Sequence, residues 1–77
     1  MKKVIIYSTP TCTYCRMAKA YFQEHAVQYE EFDVASNLEK RREMIEKSGQ
    51  MGVPVIIIDD EVIVGFDEPR IASTLVI

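Results

Sequence analysis

The sequence predicts an α/β fold with the order β-α-β-α-β-β-α, a four-stranded mixed sheet and three helices. Three observations predict it. An apolar run, Val4-Ile5-Ile6-Tyr7, is followed by a segment of helical periodicity and then by a second extended segment, all within about 30 residues, the size of a parallel βαβ unit. Two apolar runs, Val53 to Ile58 and Glu61 to Val64, are separated only by Asp59-Asp60, which reads as an antiparallel hairpin. A last amphipathic segment follows Gly65. Seventy-seven residues support one domain with a thin core.

Lys3 to Ser8 is the first strand. Its unbroken apolar run suits a central position covered on both faces, and Pro10, which supplies no ladder donor, ends it. Cys12 to His25 is the first helix. At about 100° per residue, Tyr14, Met17, Ala18, Tyr21, Phe22 and His25 share one arc, while Arg16, Lys19 and Gln23 lie near Cys12 on the opposite, wet side. Cys15 sits at the edge of the apolar arc, so the wheel turns Cys12 outward and partly tucks Cys15 in.

Val27 to Val34 is the second strand. Its imperfect alternation of Tyr29, Phe32 and Val34 with Glu30, Glu31 and Asp33 places it at a sheet edge. Ser36-Asn37-Leu38-Glu39 has the form of a capping box, so the second helix is expected to start there and to end at Ser48, with Gly49 as its left-handed terminator. Val53 to Ile58, with Pro54 at its start, is the third strand and Glu61 to Val64 the fourth. Asp67 caps the third helix, and Pro69 falls in its first turn, where a missing N–H is harmless.

Nine basic against twelve acidic residues give a net charge of −3, which argues against a nucleic-acid partner. The one basic run, Lys40-Arg41-Arg42, is bracketed by Glu39, Glu43 and Glu46 and reads as a solvated helix face. No stretch approaches the ~20 apolar residues of a membrane span, and the start of the chain lacks the apolar core of a signal peptide. These features lead to the expectation of a cytoplasmic protein. In that compartment a cysteine pair is more often catalytic or metal-binding than structural.

Both cysteines lie in Thr9-Pro10-Thr11-Cys12-Thr13-Tyr14-Cys15, where a strand gives way to a helix. A thiol at a helix N-terminus has free backbone N–H groups and the positive end of the dipole near its sulfur, which favours the thiolate. Cys12 is therefore the expected nucleophile and Cys15 the resolving thiol; i, i+3 spacing places their Cα atoms about 5–6 Å apart, within disulfide reach. Hydroxyls of Thr11 and Thr13 could donate to the Cys12 sulfur, and Arg16 could add positive charge. A zinc site within one chain is excluded by count: two cysteines supply two of four ligands, and His25, the only histidine, lies about 20 Å along the helix from Cys12. No metal site is expected.

Three motifs in order, Tyr7 to Cys15, Gly52-Val53-Pro54-Val55 and Gly65-Phe66-Asp67-Glu68, carry a resemblance to the glutaredoxins and to the small glutaredoxin-like redoxins that reduce ribonucleotide reductase. The likeness spans nearly the whole chain and is nearest to the second group. It implies a thioredoxin-type fold and a dithiol-disulfide oxidoreductase that reduces protein disulfides, ribonucleotide reductase among its candidate partners. It also implies a cis bond at Pro54, with Val53 offering free backbone groups to substrate, and Phe66 and Asp67 on the same surface. Tyr14 either packs or shapes the substrate face, and Phe66 either plugs the core or meets partners. Thr9, Thr13, Gly52 and Val64 stand where the family often has lysine, proline, threonine and glycine. These losses weaken the case for tight glutathione binding, although Asp67 still matches the family's glutathione pattern; glutathione remains a candidate co-substrate, and thioredoxin reductase is at least as good a candidate for reductant. No tightly bound cofactor and a monomeric state are expected. The alternative from the same likeness is an iron–sulfur carrier or redox-gated binding protein, with a cluster held by Cys12 and glutathione between two chains.

Overall fold

The structure is a computed structural model that describes residues 2–77. Its elements are β1 (Val4–Ser8), α1 (Thr13–Glu24), β2 (Glu30–Asp33), α2 (Leu38–Ser48), β3 (Val55–Ile58), β4 (Glu61–Val64) and α3 (Glu68–Leu75). The strands form one sheet in the order β2-β1-β3-β4. β1 pairs in parallel with β2, Ile6 facing Glu31, and antiparallel with β3, Ile6 facing Ile56; β3 and β4 close the predicted hairpin. This is the expected mixed sheet, with the two most apolar strands at its centre and β2 at an edge.

Alternation along the strands sends side chains to two separate cores. Val4, Ile6, Ile56, Ile58 and Ile63 meet Ala18 and Phe22 of α1 and Ile71 of α3 on one face. Tyr7, Val55 and Ile57 meet Met44 of α2 on the other. Burying such side chains is worth about 1.5–3 kcal/mol each, so a chain this small relies on both faces being covered.

Several boundaries differ from the sequence reading. The second strand contracts to Glu30–Asp33, because the Val27 N–H is taken by the Phe22 carbonyl at 2.7 Å in the wind-out of α1. That wind-out puts Ala26 at φ 55°, a left-handed position filled by a residue with a Cβ. The capping box does not form. Asn37, not Ser36, is the N-cap of α2: its Oδ1 accepts from Lys40 N–H at 3.1 Å. The turn after β2 is stitched by Asn37 N–H to the Asp33 carbonyl at 3.1 Å, which carries the helix start one residue further than the pattern predicts. Gly49 closes α2 at φ 73°, and Asp67 caps α3, both as expected. The third strand begins at Val55 rather than Val53, after a cis Val53–Pro54 bond.

The wheel of α1 is also rotated from expectation. Cys15, Ala18 and Phe22 form the buried stripe, while Tyr14 and Met17 are 62% and 46% exposed. Cys15 is thus wholly buried rather than partly tucked in. Tyr14 and Met17 lie in the first turns of the helix on a face turned away from that stripe.

Candidate active site

β1 ends on Ser8, and residues 9–12 carry the chain into α1. A bond from Cys12 N–H to the Thr9 carbonyl, 3.3 Å, closes this loop. Cys12 is the N-cap of α1, with extended backbone at φ −87° and ψ 112°. Its sulfur takes the place usually held by a capping oxygen and accepts from the Cys15 N–H at 3.1 Å. The two cysteines form a disulfide with Cα atoms 5.2 Å apart, as the i, i+3 spacing predicts. Cys12 is half-buried and Cys15 has no exposed surface, so only one sulfur of the pair reaches solvent.

The predicted second donors are absent. Among the described residues the hydroxyls of Thr11 and Thr13 make no bond to the Cys12 sulfur; both residues are exposed. The Arg16 guanidinium bonds instead to the Pro10 carbonyl at 3.3 Å, bracing the loop. Polarisation at the sulfur therefore comes from the backbone at the start of α1.

Tyr14, Val53, Pro54, Phe66 and Asp67 come together as expected. With Val64 and Gly65 they line a groove of about 510 Å³. Thr11 and Thr13 take no part in it. The groove lies at the open end of the β3–β4 hairpin, where Gly65 N–H donates to the Pro54 carbonyl at 2.8 Å, with Gly65 at φ 82°, a conformation that favours glycine. Val53 lies next to this tie, and its own N–H and carbonyl have no partner among the described residues. Phe66 packs edge-on against Tyr21, centroids 5.8 Å apart, at the edge of the α1-side core, and also walls the groove. The loop before Val53 is braced by Gln50, whose side-chain amide accepts from Gly52 N–H and donates to the Gly52 carbonyl at 3.0 Å.

Two side-chain clusters at the end of β1 were missed in the sequence. The buried Tyr7 hydroxyl donates to Glu43 on α2, whose carboxylate also meets Lys40 at 3.4 Å. Burial and this bond raise the Tyr7 phenol above its ordinary value, and the Tyr7 bond holds the Glu43 carboxyl below the usual carboxylate range. On the opposite face, Glu31 Oε2 accepts from Ser8 Oγ at 2.7 Å and from Lys19 Nζ at 2.8 Å. The bond from Lys19, then that from Ser8, lowers the Glu31 carboxyl. A polar Ser8 closing an otherwise apolar strand was the one signal in the sequence that a partner waited there.

No group of three or more metal-ligating side chains occurs among the described residues, and no described helix is long and apolar enough to cross a membrane.

The glutaredoxin family model matches residues 4–63. The chain is 44% identical over 66 residues to a glutaredoxin-like 8.6 kDa protein from Clostridium pasteurianum, covering 86% of this chain and 88% of that one. It is 43% identical over 68 residues to glutaredoxin 3 of Escherichia coli, covering 88% and 82%. A glutaredoxin-like protein NrdH from Lactococcus lactis matches at 33% over 73 residues, 91% and 96% of the two chains, so the likeness is stronger to the glutaredoxins than to this redoxin, against the expectation from the motifs. Among solved structures, a mutant form of the thioredoxin-like protein BC3987 superposes with a TM-score of 0.93 at 32% identity, covering 100% of this chain and 99% of that one. A strand-to-helix dithiol, a cis-proline loop beside it and these likenesses together place the chain in the glutaredoxin family, with Cys12–Cys15 as the redox-active disulfide of a dithiol-disulfide oxidoreductase.

Proposed function

We propose that Cys12 is the attacking thiolate and Cys15 the resolving thiol in the reduction of disulfides carried by other proteins. The observation that carries this reading is the difference between the two sulfurs. Cys12 is reachable and accepts an N–H at the helix start, whereas Cys15 is wholly buried. The Cys12 thiolate attacks one sulfur of the partner disulfide, forms a mixed disulfide and expels the partner's other sulfur as thiolate. Cys15, losing its proton, then attacks the Cys12 sulfur and releases the second partner thiol. Two electrons pass to the partner and the Cys12–Cys15 disulfide remains. The substrate lies in the groove beside Tyr14, Phe66 and Asp67, its backbone pairing with the free N–H and carbonyl of Val53 in the manner of an added strand. Thr11 and Thr13 shape the exposed rim.

An external reductant restores the dithiol. Glutathione carries two carboxylates and one ammonium. Asp67 suits the ammonium, but no cationic side chain lines the groove to meet a carboxylate, and the exposed Val64 gives it an apolar wall. Thioredoxin reductase is on this reading at least as good a reductant. The protein works as a monomer in the reducing cytoplasm, with no tightly bound cofactor; ribonucleotide reductase is one candidate among its protein substrates.

Two variants and one comparison test this. Cys12→Ser should abolish reduction of a test disulfide, and retained activity would overturn the assignment. Cys15→Ser should accumulate a mixed disulfide visible by mass spectrometry. Turnover with NADPH and thioredoxin reductase, set against glutathione and its reductase, ranks the reductants; a glutathione rate well above the other would contradict the argument from the groove.

A further inference from the structure

On the α1 side of the sheet, one carboxylate oxygen, Glu31 Oε2, gathers a donor from each of the two segments between which the active-site loop is strung. Ser8, 1% exposed, is the last residue of β1, and Lys19 stands two turns into α1. Lys19 follows Cys12 by seven residues, so it lies on the same side of the helix and about 10 Å along it, with its side chain leaning back towards the N-terminus. Lys19 and Glu31 open, with Thr9 and Pro10 of the loop, on a common cavity of about 370 Å³.

We propose that Glu31 and Lys19 are positioning residues for the known exchange reaction, a matched charge pair in which each charge offsets the other's effect on how readily Cys12 ionises. The inference rests on the reading of Cys12 as the attacking thiolate. Paired, the two charges nearly cancel at the sulfur. An unpaired Lys19 ammonium would favour the thiolate, and an unpaired Glu31 carboxylate would disfavour it. The other charged groups facing this end of the molecule are Asp33 in the same cavity, whose charge acts on Glu31 without bonding to it, Arg16 bound to the Pro10 carbonyl and Asp67 in the groove.

The test is titration of the Cys12 thiolate by ultraviolet absorbance in reduced protein of a Cys15→Ser background. Glu31→Gln should lower the Cys12 pKa by about 0.2–0.4 unit at 10 mM salt, for a charge held against Lys19 and thus on the order of 10 Å from the sulfur. Lys19→Gln should raise it by about the same amount. The double variant should return to the parent value, Lys19→Arg should keep it, and all shifts should collapse at 1 M salt, where the Debye length is about 3 Å. A merely structural pair would move both single variants in one direction, independently of salt. Shifts of equal sign, no shift at low salt, or Lys19→Arg behaving as Lys19→Gln would each overturn the proposal. Failure of the underlying reading has another signature: the parent Cys15→Ser protein would form no mixed disulfide through Cys12, and this inference would fall with it.

Discussion

Replacing Tyr7 by phenylalanine removes one oxygen from a fully buried ring and leaves its packing in the α2-side core intact. What is lost is the hydroxyl's bond to the Glu43 carboxylate. Hydrogen bonds to charged groups are worth about 1.5–3 kcal/mol; Glu43 retains Lys40 and partial exposure, so the loss should be about 1–2 kcal/mol at neutral pH. Linkage gives the pH window. The Glu43 carboxyl is lowered in the folded protein, so its stabilisation is present above the ordinary carboxylate value and fades as pH falls through the folded one. The Tyr7 phenol is raised, so its stabilisation is complete below the ordinary tyrosine value of about 10 and fades as pH climbs towards the folded one. The deficit of Tyr7→Phe should therefore be level from about pH 5 to 10 and shrink on both sides. Urea unfolding of oxidised wild-type and variant protein, between pH 3 and 10.5, measures it. A deficit under about 0.5 kcal/mol at pH 7, or one unchanged at pH 3, would refute the role given to this bond.

Ala26→Gly should stabilise the protein by about 1 kcal/mol, read as a rise in Tm, because glycine adopts the left-handed conformation that strains alanine. Asn37→Ala should cost about 1 kcal/mol in urea unfolding while Ser36→Ala stays within about 0.5, which separates the observed cap from the capping-box pattern. Gln50→Ala should raise KM for a protein disulfide several-fold with little change in kcat, by freeing the loop that presents Val53; an unchanged KM would dismiss the brace.

Element order, the hairpin, the edge position of β2 and the dithiol junction were legible in the sequence because each rests on local signals: apolar runs, glycine at a helix end, and cysteines at a strand-to-helix boundary. The groove was legible only in part. Tyr14, Val53, Pro54, Phe66 and Asp67 came with the family resemblance, whereas the part played by Gly65 depends on a tie to Pro54 across the hairpin. The α1 wheel misplaced Tyr14 and Met17, since periodicity records which residues are apolar and not which way the helix is turned on its sheet, where Cys15, Ala18 and Phe22 take the buried stripe. The Ser36 pattern failed because serine and asparagine are equally good caps, and the choice fell to a turn closed by Asp33. The clusters at Tyr7 and Ser8 join residues more than twenty positions apart, beyond any local pattern.

Those two clusters have a joint consequence. Successive residues of a strand point to opposite faces, so Tyr7 and Ser8 moor the end of β1 from above and below, and the Ser8 carbonyl is held by Val34 N–H at 2.9 Å. The loop bearing Cys12 thus departs from a fixed anchorage. Oxidation and reduction then need shift only two sulfurs within one helical turn. Amide exchange at Val34 should accordingly be slow, and equally slow, in both redox forms, while that at Cys15, whose N–H the Cys12 sulfur receives, should register the change.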